Sequence, residues 1–198
     1  MIINNTAKIG TMLSFTDKND FYFLQILKRR KDNPDLGRDM VVIKNYYIES
    51  MDQYIKLVPE VIKLCDFENA RAYIRLNKRN FEKLSFSMIK LVIEYTTSKA
   101  YRSNKDAFDH VVGRNHSDPD KKWVIDVDWL DTDVVVMAEV LKYIQDEIKK
   151  TGRDNSIEIL PTKNGVHLIC RPFNLAKFGS LYPKISVHRD NPTILYCP

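Results

Sequence analysis

Apolar and polar positions along the chain repeat with two periods, and the change from one to the other marks the elements. Residues 21–31 and 40–48 are rich in aromatic and β-branched side chains, and Asp32-Asn-Pro-Asp-Leu-Gly37 between them carries turn chemistry. That combination predicts an antiparallel strand pair. Ser50 then stands as an N-cap before a helix on which Tyr54, Val58, Val61, Ile62 and Cys65 recur at helical spacing. Residues 70–76 alternate as a strand, with Ala72, Ile74 and Leu76 on one face and Arg71, Tyr73 and Arg75 on the other. A second helix is predicted over 81–100, with Leu84, Met88, Leu91, Val92 and Tyr95 as its stripe. The polar stretch 101–120, with Gly113, Asn115, Ser117 and Pro119, reads as a connection.

The second half opens on a β-like run, Trp123–Trp129. Thr132 or Asp133 caps a helix that runs to about Lys150 and ends at Gly152. Residues 156–160 and 166–170 form a hairpin with Asn164-Gly165 in its turn. Short strands follow over 185–188 and 193–196. The pattern is that of an α+β protein: a lead-in over 1–19, an N-terminal α/β lobe over 20–105, and a second sheet-bearing lobe over 120–198 within one compact unit.

The strand Trp123-Val-Ile-Asp-Val-Asp places Asp126 and Asp128 on one face, with Ile125 and Val127 on the other. Neighbouring carboxylates repel unless a cation lies between them or one takes up a proton. Hard oxygen ligands suit Mg²⁺ or Mn²⁺. In the hairpin, His167 has a ring N–H to donate to a phosphate oxygen, Thr162 a hydroxyl, Lys163 a charge, and the turn its backbone N–H groups. Arg71 or Arg75, on the polar face of the first-lobe strand, could reach a phosphate, with surface solvation as the plain alternative, and His188 is either a second phosphate ligand or exposed, the latter being preferred. The plain alternatives are a solvent-facing strand edge for the aspartates and a half-buried strand histidine for His167.

The 198 residues carry a net charge of +5 with a pI of about 9.0, which favours an anionic partner. Three widely separated cysteines and no Cys-x-x-Cys argue against a zinc knuckle or a disulfide framework and fit a reducing cytoplasm. The start lacks signal-peptide character, and no apolar stretch approaches a membrane span.

Taken in order, Trp123-Val-Ile-Asp-Val-Asp128 and Pro161-Thr-Lys-Asn-Gly-Val-His167-Leu-Ile-Cys resemble the first two motifs of the archaeo-eukaryotic primase superfamily, the primase-polymerases. The resemblance implies a two-lobed primase-polymerase-like fold whose C-terminal lobe is an RRM-like palm sheet. It implies a metal-dependent nucleotidyltransferase that extends a nucleic-acid 3′ end or makes primers. Asp126, Asp128 and, in the third motif, Asp190 would be the catalytic acids holding Mg²⁺ or Mn²⁺. Thr162, Lys163, His167 and Arg75 would bind the nucleotide. Implied partners are nucleotide triphosphates, a DNA or RNA template, and a helicase or other replication protein. Asp190-Asn-Pro is also an ordinary turn sequence. The alternatives are a non-catalytic RRM-like nucleotide- or nucleic-acid-binding protein and a nuclease; Glu158 and Lys163, five residues apart, miss the Glu-x-Lys register of the latter.

Overall fold

The opening residues, read above as a lead-in, are built into the fold. In the computed structural model, which describes residues 2–114, 118–130 and 132–198, Ile3–Asn4 (β1) pairs antiparallel with the last strand of the chain. Thr6–Gly10 (α1) follows, and Ile3 and Ile9 are buried. Ile3 and Ile9, six positions apart with only Ile2 and Ala7 as further apolar neighbours between residues 2 and 10, show no period, so pattern alone could not find them.

Asp20–Arg29 (β2) and Met40–Ile48 (β3) pair antiparallel as predicted, with Leu24 opposite Tyr46. Ser50 caps Met51–Glu68 (α2) by accepting the Gln53 backbone N–H at 3.2 Å. The helix ends on Asn69 at φ 47°, a left-handed conformation that asparagine tolerates. Arg71–Ile74 (β4) returns beside β2, and Arg79–Asn80 (β5) pairs with the start of β2. Phe81–Thr97 (α3) is capped by Asn80.

The stretch read as a polar connection is largely helical. Tyr101–Asp106 is a 3-10 turn and Ala107–Arg114 is α4; Asn115 and Ser117 lie outside the described residues. Ala107, Val111 and Val112 are buried, and the two valines pack with Leu84 against Phe21 and Phe23. Three apolar positions among charged neighbours are enough to seat one short helix.

Trp123–Asp128 (β6), Val134–Lys149 (α5), Glu158–Pro161 (β7), Gly165–Cys170 (β8), Leu175–Leu181 (α6) and Ser186–His188 (β9) form a second antiparallel sheet ordered β7-β8-β6-β9. Asp133 caps α5, its carboxylate accepting the Val136 N–H at 2.8 Å, and Gly152 just beyond the helix takes φ +71°. The period-2 prediction holds on β6. Trp123, Ile125 and Val127 pack on Val140, Ile144 and Ile148 of α5 and on Phe173 and Phe178. Val124 on the other face joins Leu160 and Ile169 in the core that also contains Leu24, Ile26 and Ile74 of the first sheet. The two sheets therefore face each other across shared apolar contacts.

Thr193–Cys197 (β10) departs from the expected arrangement. It leaves the second lobe and inserts into the first sheet, whose order is β1-β10-β4-β2-β3. Every residue of β10 is buried. A strand covered on both faces belongs inside a sheet, and the gap beside β4 accepts it. The molecule is thus α+β with two antiparallel sheets. No helix among the described residues is long and apolar enough to cross a membrane.

Candidate functional site

The pairing of β6 with β8 sets Asp126 directly opposite His167, and β9 on the other side sets Ser186 opposite Asp126 and His188 opposite Val124. Asp126 and Asp128 share the face that looks toward the first sheet. His167 Nε2 lies 3.5 Å from Asp126 Oδ1, and His167 Nδ1 lies 2.8 Å from Thr193 Oγ1. The Asp126 carboxyl is held below its ordinary range by His167, against the opposing effect of partial burial, with His188 and Lys31 adding to it.

The hairpin that carries His167 turns one residue earlier than the Asn-Gly pair predicts. The Thr162 N–H donates to the Gly165 carbonyl at 2.9 Å, so Lys163-Asn164 make the loop and Gly165 starts β8. Gly165 serves a close approach instead of a turn: a Cβ there would stand 1.9 Å from the Val127 carbonyl oxygen. The Trp129 N–H donates to the Asn164 carbonyl at 3.0 Å, which ties the loop to the end of β6.

Between the sheets lies a cleft of about 400 Å³. One wall presents Asp126, Asp128, His167 and His188; the other presents Arg29, Arg71, Tyr73 and Ile194; and Thr162, Lys163 and Lys31 stand around them. Arg71 makes a two-pronged pair with Asp32 at 2.7 and 2.8 Å, and Lys163 Nζ reaches the same carboxylate at 2.7 Å. Asp32 thus joins the β2–β3 connection, β4 and the β7–β8 loop at one end of the cleft.

The Arg71 hydrogen bond, seconded by Lys163, brings the Asp32 carboxyl down to about 2. An acid whose folded value lies below its unfolded one stabilises the fold fully above the unfolded value, and that contribution is lost as pH falls through the folded one. The clasp should therefore weaken between about pH 4 and about pH 2, and its charge-linked contribution is about 2 kcal/mol. Asp32→Asn should lower stability at neutral pH and flatten this acid limb. Urea melts at a series of pH values would check it; an unchanged acid limb would mean that Asp32 does not carry the linkage.

Two sequence-derived site residues lie elsewhere. Asp190 does not turn toward Asp126 and Asp128. Its carboxylate takes Arg79 Nη2 at 2.7 Å, Asn77 Nδ2 at 3.1 Å and Arg75 Nη1 at 3.4 Å, and it is absent from the cleft wall. Arg75 is likewise drawn to Asp190, with its guanidinium turned away from the cleft, although Arg71, two residues earlier on the same strand, lines it. The cause is the crossover from β9 to β10, where the buried Arg79 and the part-buried Arg75 demand an anion and Asp190 supplies it. His188, read as exposed, is half-buried on the cleft wall.

Among the described residues no three His, Cys, Asp or Glu side chains converge to hold an ion. The donor set does not fit a centre of two ions encircled by three carboxylates. It does fit one hard ion held by Asp126 and Asp128 and completed by water and phosphate oxygens, the usual way Mg²⁺ is bound. Sequence reasoning missed Asp32, which sits in a turn sequence, and Thr193, whose partner His167 is in the other sheet; neither had a local signal. Arg29 and Lys31 stand in the basic run Lys28-Arg-Arg-Lys31, which by itself reads as a solvated face. Comparison with protein-family models, curated proteins and solved structures found no match.

Proposed function

We propose that the cleft is a nucleoside-triphosphate site and that the protein is a metal-dependent nucleotidyltransferase of primase-polymerase type, adding nucleotides to a nucleic-acid 3′ end or making primers. The observation that carries this reading is the direct pairing of Asp126 with His167 on adjacent inner strands, on the wall of a cleft whose opposite wall is basic. The strand order of the second sheet supports it. The run β-α-β-β-α-β with its first and third strands central is the RRM-like arrangement, which agrees with the palm sheet that the motif resemblance implies.

Asp126 and Asp128 would hold Mg²⁺ or Mn²⁺, which supplies charge neutralisation at the reacting phosphate. The chain's own groups do the rest. His167 donates to a phosphate oxygen from the strand next to the ion site. Thr162, at the head of the hairpin, contributes its hydroxyl. Lys31 and Arg29 draw the polyanion into the cleft and offset the two aspartates. A DNA or RNA template and a helicase or other replication partner belong to the same proposal. One observation favours a second reading, a nucleotide- or nucleic-acid-binding protein without catalysis: Ser186, not an acid, occupies the place beside Asp126 on β9.

The Asp126→Asn/Asp128→Asn double variant separates these. In the first reading, wild-type protein extends a labelled primer–template with Mn²⁺ and nucleotides, and the variant loses at least about a hundredfold of that rate. Its melting temperature without metal should stay close to wild type, because both carboxylates are substantially solvated. A wild-type protein stabilised by Mn²⁺ with nucleotide but unable to extend would select the second reading. Equal extension by variant and wild type would end the first.

A further inference from the structure

We infer that Thr193 is a positioning residue for His167, its hydroxyl donating to Nδ1 and thereby fixing the neutral imidazole with its proton on Nε2, aimed into the cleft. The inference starts from hydrogen-bond capacity. Thr193 is fully buried, and its Oγ1 lies 2.8 Å from His167 Nδ1. A buried hydroxyl needs a partner, and this contact provides one. On the other side of the ring, Nε2 faces Asp126 Oδ1 at 3.5 Å. A carboxylate accepts and cannot donate. A neutral imidazole has one N–H, so a proton on Nδ1 would leave the Nε2 lone pair pointing at the carboxylate. A proton on Nε2 satisfies that side and leaves Nδ1 as an acceptor, which the Thr193 O–H fills. The sequence Thr193 O–H to Nδ1, then Nε2–H toward Asp126 or an arriving anion, leaves neither contact frustrated.

The two residues belong to different sheets: Thr193 opens β10 beside Ile74 of the first, and His167 lies on β8 of the second. The aim of the imidazole is therefore referenced to the opposite wall of the cleft. A donor fixed in this way presents its Nε2–H to a phosphate oxygen arriving in the cleft, which assigns His167 as a hydrogen-bond donor there. That last step rests on the proposed nucleotide reading; the tautomer does not.

The test uses ¹⁵N-histidine-labelled full-length protein at neutral pH, with Thr193→Ser and Thr193→Val. The ring nitrogen shifts of His167 should report the Nε2–H tautomer in wild type and in the serine variant, which keeps the hydroxyl. In the valine variant that tautomer should lose its dominance. Affinity for ATP with Mn²⁺ should fall about tenfold in the valine variant and by less than about threefold in the serine variant, the scale on which orienting partners act. Wild-type His167 found as the Nδ1–H tautomer or as imidazolium would overturn the inference, as would a folded valine variant with an unchanged tautomer. If the valine variant does not fold, the wild-type and serine spectra decide alone. An Nε2–H tautomer in a protein with no affinity for ATP and Mn²⁺ would defeat the nucleotide reading and leave the positioning role standing.

Discussion

Arg79→Ala is expected to cost the fold about 3–5 kcal/mol, the usual penalty for removing one partner of a buried ion pair, which in a chain of this size lowers the melting temperature by roughly 10 °C. Arg79 has no solvent exposure, and its guanidinium meets the Asp190 carboxylate, the Val112 carbonyl at 3.1 Å and the Asn77 carbonyl. Its loss would leave those acceptors unsatisfied and Asp190 with Arg75 and Asn77 alone. Asp190→Asn should also be severe, since it strands the buried guanidinium. Both effects should appear without metal or nucleotide, in urea melts of the free protein. A metal ligand behaves the other way, losing activity while the free protein melts as before. An Asp190→Asn variant with wild-type stability would therefore return Asp190 to consideration as a ligand.

Gly165→Ala is the second large effect. The added carbon would stand 1.9 Å from the Val127 carbonyl oxygen, 2.9 Å from its carbon and 3.0 Å from the Asp128 Cα, all backbone atoms that cannot rotate away. Relief requires β8 to move from β6 at the end that carries Asp128. The expected loss is about 3 kcal/mol, the upper part of the range for overpacking. Because the shift alters the spacing of Asp128 from His167, primer extension, on the proposed nucleotidyltransferase reading, should fall about a hundredfold even at temperatures where the variant is folded. Wild-type melting and extension together would show that the strands can part here at no cost.

The legible parts of this fold are those whose signal is local. The β2–β3 pair, the Ser50 cap, the alternation on β6 and the His167 hairpin each follow from residues within a few positions of one another. Asp126 and Asp128 share a face for the same reason, since a strand period fixes faces without long-range knowledge, whereas the pairing of β6 with β8 that sets His167 opposite Asp126 spans about forty residues. What escaped depends on distant partners. The period of β10 says that it is a strand, but its place between β1 and β4 depends on a gap left by residues over a hundred positions earlier. Asp190 looks alike in sequence whether it meets a metal or an arginine, and only Arg79, 111 residues away, decides. Gly165 was read for its freedom to turn, whereas its missing side chain is what the neighbouring strand requires.

The position of β10 also has a consequence for synthesis. β4 is made well before its neighbour on one side, which lies more than a hundred positions later in the chain. At ordinary elongation rates the edge of Arg71–Ile74 waits on the order of ten seconds for its partner. The second sheet can begin to form on the ribosome during that interval, but the first cannot close. The nascent chain therefore carries an open strand edge, the feature that invites misassociation, until Thr193–Cys197 has emerged and entered between β1 and β4.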